Sequence, residues 1–481
     1  MITTKALTKK YLDRVILDKV DFKIGNGTKI AVVGRNGCGK TTFFKMIMGE
    51  EEITEGYIEK ENEVLAYIPQ EFSFSNNTLV GEYLELKLNE SWEFYKIEQL
   101  VDKVKFHNFD PYQELATLSE GQKMKVKLIE VMLTDPTILL IDEPTNHLDI
   151  EGIMWFEEYI KHLPITVVLI SHDRSFLNHV VDEIWEIEKH KLFRFVGDYD
   201  TYKEEKLKKI NKWDEEYVRF LKKKAQLEKL LENARKIKGK KRGNAVSAAK
   251  KRIEREVEGE NKKEKYVVKR LKGLSFKTEV GEGKLMTRFE DVSKNYGGRG
   301  VFEKLNFELR SGEKVWLFGP NGGGKSTLVK IIVGEEAQSA GKVRIGENIT
   351  TGYFSQVQTN LDFEDNLFDY FVKETGVYFG DAYGQLAKFL FDKEAVKKRI
   401  WQLSPGERAR FKLAIFANKK YDFLILDEPD NHLDIDTKEV LEKSLREFGG
   451  TLLLVSHDRY FVESIGVKKM LNLKEGVLTY L

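Results

Sequence analysis

Gly34-Arg35-Asn36-Gly37-Cys38-Gly39-Lys40-Thr41 and Gly319-Pro320-Asn321-Gly322-Gly323-Gly324-Lys325-Ser326 share one pattern. Each opens on glycine, crosses four residues and closes on Gly-Lys-Thr or Gly-Lys-Ser. Glycines let backbone N–H groups converge on phosphate oxygens, and a helix N-terminus behind them adds favourable potential. The lysine then reaches the β- and γ-phosphates, and the Thr41 or Ser326 hydroxyl ligates Mg²⁺. The chemistry is nucleotide phosphate binding. Gly34, Asn36, Gly37, Gly39, Lys40, Thr41 and Thr42 would form one cradle. Gly319, Asn321, Gly322, Gly324, Lys325, Ser326 and Thr327 would form the other.

Two apolar runs end in carboxylates, Ile138-Leu139-Leu140-Ile141-Asp142-Glu143 and Phe423-Leu424-Ile425-Leu426-Asp427-Glu428. A continuous apolar run predicts a central strand covered on both faces. Ligands of such sheets sit beyond the strand C-terminal ends, where these acids fall. Asp142 and Asp427 would hold Mg²⁺ through its water shell. Glu143 and Glu428 would orient and polarise the attacking water. His172 and His457 follow two further apolar runs, in Ser-His-Asp triplets, and suit a γ-phosphate contact.

The runs Ile30–Val33 and Val315–Phe318 predict the strands that feed the two phosphate loops. The landmarks recur at constant spacing: Tyr11 with Tyr296, Lys40 with Lys325, Ser119 with Ser404, Glu143 with Glu428 and His172 with His457, each 285 apart. Gln70 and Gln356 are offset by 286. Such register predicts a duplicated α/β domain with two equivalent, intact sites.

Between each phosphate loop and acidic strand lies a short motif, Leu118-Ser119-Glu120-Gly121-Gln122 or Leu403-Ser404-Pro405-Gly406-Glu407. In that context the chain resembles the ATP-binding cassette (ABC) ATPases, whose signature sequence these look like. The second copy departs from the common pattern at Pro405 and Glu407. The resemblance implies that each signature faces the other domain's phosphate loop across ATP. One composite site would then join Lys40, Thr41, Gln70, Glu143 and His172 to Ser404 and Gly406. The other would join Lys325, Ser326, Gln356, Glu428 and His457 to Ser119 and Gly121. It also implies that Tyr11 and Tyr296 stack on adenine, and that Gln70 and Gln356 stand beside the magnesium.

Bulk properties agree. A chain of 481 residues exceeds what one core supports. No apolar run reaches the ~18–20 residues that span a bilayer. The N-terminus lacks the apolar core of a secretion signal. Cys38 is the only cysteine, which excludes an internal disulfide and fits a reducing, cytoplasmic setting.

The repeat leaves residues 200–284 unmatched, between expected domains at 1–199 and 285–481. Residues 200–272 hold 26 lysines and arginines against 13 acids, although the whole chain carries only +1. Arg235, Lys236, Lys238, Lys240, Lys241, Arg242, Lys250, Lys251 and Arg252 form an acid-free stretch. Ile210, Trp213, Tyr217, Phe220, Leu227, Leu231 and Ala234 recur at helical spacing, and Val246, Ala249, Ile253 and Val257 restart the stripe. Gly239 and Gly243 predict the turn of a basic helical hairpin, its first helix ~55 Å long. A solvated spacer is the plain reading; nine cations on one tip favour a phosphate backbone. The absence of an aromatic there argues against base stacking.

Two cassettes with no membrane segment and a basic hairpin between them resemble the ABC-F family. The extended acidic motifs Asp142–Asp149 and Asp427–Asp434 and the element Phe195–Tyr202, with Asp198 in place of asparagine, carry the same likeness. The resemblance implies a monomeric, cytoplasmic ATPase using Mg²⁺, with its cassettes paired within one chain. Its hairpin would reach 23S-type rRNA and the peptidyl-site tRNA on the ribosome, regulating translation or relieving stalled or antibiotic-inhibited ribosomes. Near-equal spacing from glutamine to signature (49 and 48 positions) predicts no extra arm, and the end at Leu481 predicts no C-terminal coiled coil. Two other readings stay open: an ATPase acting on branched or damaged DNA, and a transporter's nucleotide-binding subunit. No stable membrane partner is expected.

Overall fold

The computed structural model describes the chain apart from residues 13, 71, 73, 75–77, 89, 147, 237, 239–240, 258–270, 280, 282, 298, 356–363, 432, 474–476 and 481. Gln356 and Lys240 therefore lie outside the described residues, as do the side chains of Lys241 and Arg242. Residues 1–198 and 270–481 form one compact unit, and residues 199–269 form a second.

The larger unit repeats one α/β architecture. In the first copy the sheet order is Lys191–Val196, Glu183–Glu188, Lys29–Gly34, Thr166–Ile170, Ile138–Asp142, Leu65–Ile68. All neighbours are parallel except the antiparallel edge strand Lys191–Val196. The second copy has the same order, running from Val477–Tyr480 through Lys469–Asn472, Lys314–Phe318, Thr451–Val455 and Phe423–Asp427 to Thr351–Phe354. The apolar runs are fully buried, as sheets covered on both faces require. Parallel register sets Asp142 opposite Ile170 and Asp427 opposite Val455. Each acidic strand end thus sits beside the strand that leads to a Ser-His-Asp triplet.

Behind the first phosphate loop, Phe43 and Phe44 of the helix Lys40–Met48 pack with Trp185 and Phe22 in one core. Each fully buried aromatic contributes about 2–3 kcal/mol of apolar burial. That core fixes the direction in which the helix presents its N-terminus.

The two copies are held together by a reciprocal pair of contacts. Arg174 bonds Glu442 in bidentate fashion, one arm at 3.2 Å, and its guanidinium lies 4.2 Å from the ring centre of Tyr460. Arg459 donates to Glu157 at 2.5 Å. Arg174 and Arg459 are 285 positions apart, as are Glu157 and Glu442. One interaction is the other's image, as across a two-fold axis.

In the smaller unit the helices Tyr199–Lys236 and Lys241–Val257 pack on each other. Leu227, Ala234 and Val257 are buried in it, whereas Trp213, expected in the apolar stripe, is 44% exposed. Lys223 and Glu256 pair at 3.1 Å between the two helices. Gly243 departs from expectation: it lies inside the second helix, and Gly239 lies outside the described residues. Arg235, Lys236, Lys238, Lys250, Lys251 and Arg252 are exposed.

The two inter-copy ion pairs differ in burial. Arg174 is fully buried, while the Arg459 side chain is 27% exposed. Arg174→Ala strands a buried Glu442 carboxylate and should cost about 3–5 kcal/mol. Arg459→Ala should cost about 1 kcal/mol. Urea denaturation of both variants checks the order, and equal losses contradict it.

Candidate nucleotide site

Gly39 shows why the loop needs glycine. Its φ of 106° is left-handed, and a Cβ there would collide with Ile16. Gly324 repeats this at φ 91° against Val301. Lys40 Nζ donates to the Gly34 carbonyl at 2.8 Å, and Lys325 Nζ does so to Gly319 at 2.8 Å. Both ammonium groups are therefore folded over their own loops.

Thr41 Oγ1 donates to Asp142 Oδ2 at 2.8 Å, and Ser326 Oγ to Asp427 Oδ2 at 3.5 Å. Hydroxyl and carboxylate thus converge at a point suited to a hard, oxygen-seeking cation. Burial raises the Asp142 carboxyl above the ordinary range against the pull of Thr41 and Lys40, and raises Asp427 to about 6. A divalent cation would relieve that cost, so the donor set fits Mg²⁺.

Glu143 and Glu428 adopt left-handed backbones, φ 49° and 48°. Each extends the strand pairing one residue past the aspartate, through N–H bonds to Ile170 and Val455 at 2.9 Å. Such conformations cost about 1–3 kcal/mol and survive where surrounding structure enforces them. Burial pushes both carboxyls up to about 7, helped at Glu428 by Asp427 and Asp430 and opposed at Glu143 by Lys40.

His172 Nε2 lies 3.3 Å from Lys40 Nζ and 3.3 Å from Glu143 Oε1. Burial, with Lys40 and Lys438 adding to it, holds His172 well below its usual range, hence neutral. Burial and Lys325 bring His457 to about 4. His172 Nδ1 and both ring nitrogens of His457 are buried without a hydrogen-bond partner. Buried ring nitrogens without a partner leave hydrogen-bonding capacity for an oxygen-rich ligand.

One cavity of about 780 Å³ joins the two copies. Tyr11, Asn36, Gly37, Gly39, Lys40, Thr41, Thr42, Gln70, Asp142, Glu143 and His172 line it from the first. Ser404 and Gly406 line it from the second. At the other loop, the Asn321 N–H donates across the copies to Asp149 at 3.2 Å. Tyr296 is 49% exposed there. Ser119 and Ser404 both cap their helices through reciprocal boxes, Ser119 with Gln122 and Ser404 with Glu407. Pro405 sits at the first helical position, where no N–H is missed, and glutamate serves the box as well as glutamine. The departures at Pro405 and Glu407 therefore leave the cap intact.

Sequence reading missed Arg14, Lys398, Arg410, Asp430 and Lys438, which also line the cavity. Arg410 was within reach, since it stands one helical turn beyond Gly406 on the same face. Lys398 and Lys438 come from segments whose approach only the fold creates.

Residues 17–146 and 302–431 both match the family model described as ABC transporter. Among the described residues no helix is long and apolar enough to cross a membrane. The chain is 31% identical to the ribosome protection protein VmlR of Bacillus subtilis, across 99% of this chain and 87% of that one. It is 31% identical to ABC transporter F family member 2 of Arabidopsis thaliana, across 98% and 76%. With ATP-binding protein Uup of Escherichia coli it shares 30% identity, across 94% and 77%. The solved archaeal ribosome recycling factor aABCE1, in complex with the stalk protein aP1, superposes with a TM-score of 0.64. At 19% identity across 97% of this chain and 86% of that one, this likeness speaks for the fold.

The raised carboxyls carry a sign. A carboxyl whose folded value exceeds its ordinary 4.5 binds protons more tightly when folded. Its charged form is a penalty that sets in above 4.5 and is complete above about 7. Glu143→Gln or Glu428→Gln should thus stabilise the ligand-free protein by on the order of 1 kcal/mol at about pH 8, and little at about pH 5. Thermal unfolding at the two pH values reads it; an equal gain at both defeats it.

Proposed function

The chain belongs to the ABC-F family of ATP-binding cassette ATPases, and from that premise we propose that it is a cytoplasmic translation factor acting on the ribosome. The observation that carries this reading is the likeness to a ribosome protection protein across 99% of this chain, the hairpin segment within the span. The exposed cations Arg235, Lys236, Lys238, Lys250, Lys251 and Arg252 support a phosphate-backbone partner, rRNA and peptidyl-site tRNA. The proposed organisation is a cassette at 1–199, a hairpin at 200–284 and a cassette at 285–481. No stable membrane partner is required, and one chain supplies both cassettes.

Both cassettes are ATP-binding and ATP-hydrolysing domains. We assign two composite sites to them. Thr41, Gln70 and Asp142 would hold Mg²⁺ in one, and Ser326, Gln356 and Asp427 in the other. The ion, when bound, would neutralise phosphate charge and orient the chain of phosphates. Lys40 and Lys325 bind the β- and γ-phosphates. Ser404 with Gly406, and Ser119 with Gly121, bind from the opposite cassette. Tyr11 and Tyr296 stack on adenine. Glu143 and Glu428 accept the hydrogen bond of the attacking water and aim its lone pair at the γ-phosphorus. Neutral His172 and His457 hydrogen-bond the γ-phosphate and hold it in line. ATP closes the cassettes and commits the hairpin to the ribosome; hydrolysis releases it.

The Glu143→Gln/Glu428→Gln variant should bind ATP and stay on ribosomes through a sucrose-gradient run. Release at the parental rate refutes the mechanism. Lys250→Glu/Lys251→Glu/Arg252→Glu should cut ribosome-stimulated turnover by roughly tenfold or more and leave basal ATPase within about twofold. Equal stimulation by branched DNA would transfer the hairpin to a DNA partner.

A further inference from the structure

Lys438, a charged group at the cassette seam, has no duplicate. By the 285-residue register, Lys438 on the helix Ile435–Glu447 corresponds to Ile153 of the first cassette. Asp430 corresponds in the same way to Thr145. The two differences belong together. Lys438 is only 5% exposed; its Nζ donates to Asp458 Oδ2 at 3.1 Å and lies 3.9 Å from Asp430 Oδ2. Asp430 is itself fixed by Ser456 Oγ at 2.9 Å. In the first cassette the matching pair is neutral, Thr145 Oγ1 and Ser171 Oγ at 3.5 Å. Burial opposes the Lys438 charge, but Asp458 and Asp430 outweigh it and keep the ammonium charged.

The third contact crosses the seam. Lys438 Nζ donates to the backbone carbonyl of His172 at 3.2 Å. The ring of that histidine stands 3.3 Å from both Lys40 Nζ and Glu143 Oε1. An ammonium of the second cassette therefore holds the backbone that aims a ring in the first. Ile153 offers no donor with which to do the same for His457.

We infer that Lys438 is a positioning residue acting across the seam: with Asp430 and Asp458 it fixes the His172 loop and gives the Lys40 site a restraint that the Lys325 site lacks. The two sites are then unequal despite their matching motifs. Hydrolysis at the Lys40 site depends on the second cassette being packed against it, beyond the need for Ser404 and Gly406. The inference rests on both sites being competent for hydrolysis.

The test isolates each site by blocking the other. In Glu428→Gln the Lys40 site works alone; in Glu143→Gln the Lys325 site does. Asp430→Thr/Lys438→Ile restores the neutral pair of the first cassette and leaves no lone buried ammonium. Single-turnover hydrolysis at the Lys40 site should fall by about tenfold or more, with ATP affinity changed by less than about twofold. The Lys325 site, where Asp430 acts only on the charge of Glu428, should lose severalfold less than the Lys40 site. The transposed variant, Thr145→Asp/Ile153→Lys/Asp430→Thr/Lys438→Ile, should move the higher rate to the Lys325 site. Equal losses at both sites, or none, overturn the inference while leaving two working sites. If the Glu428→Gln parent hydrolyses nothing, the two-site reading itself falls.

Discussion

In the proposed composite site two helix N-termini would have to face one anion. In the Lys40 cavity these belong to the helices Lys40–Met48 and Pro405–Ala417, which come from different cassettes. The potential of a helix end fades within its first turn, so both ends must approach closely for either to count. Much of the remaining structure serves that requirement. The reciprocal contacts Arg174–Glu442 and Arg459–Glu157 hold the seam with directional groups. Because one is the image of the other, a slip that breaks one breaks both. Directional pairing of this kind sets register more sharply than it adds stability.

Inside each cassette the parallel sheet does the corresponding work. It brings the loop after Gly34, the acids at Asp142 and Glu143, and the triplet at Ser171 to one edge. The left-handed turn at Glu143 then aims its carboxylate away from the strand direction and beside His172. A flexible loop would relax out of that conformation. Here the N–H bond to Ile170 on one side and buried strands on the other hold it, and Glu428 is held alike by Val455. The strain is local, and the stability that tolerates it comes from cores centred on residues such as Phe43 and Phe44.

These relations explain which features were legible in the sequence. Phosphate loops, acidic strand ends and signature caps are contiguous, so residue type and spacing carry their chemistry together. The 285-residue register exposed the duplication and, by subtraction, the hairpin. Arg14, Lys398 and Lys438 were not visible because no local pattern says which surface of the fold they will meet. Gly243 misled for the opposite reason: glycine permits a turn but does not require one, and the helix Lys241–Val257 absorbs it. The same register that revealed symmetry also hid its exceptions, since Asp430 falls within a motif that otherwise repeats and Lys438 just beyond it.

Charge distribution adds a constraint of its own. With 26 cations against 13 acids in residues 200–272 and a whole-chain charge of +1, the cassettes together carry a clear negative excess. Acidic cassettes are repelled by a polyanion, whereas the hairpin is drawn to it. In the proposed function the segment outside the repeat would therefore govern encounter with nucleic acid, and the repeat how long the encounter lasts. Salt should weaken the first through counterion release. It should act less on the second, because Arg174, Glu442 and Lys438 are buried and poorly screened.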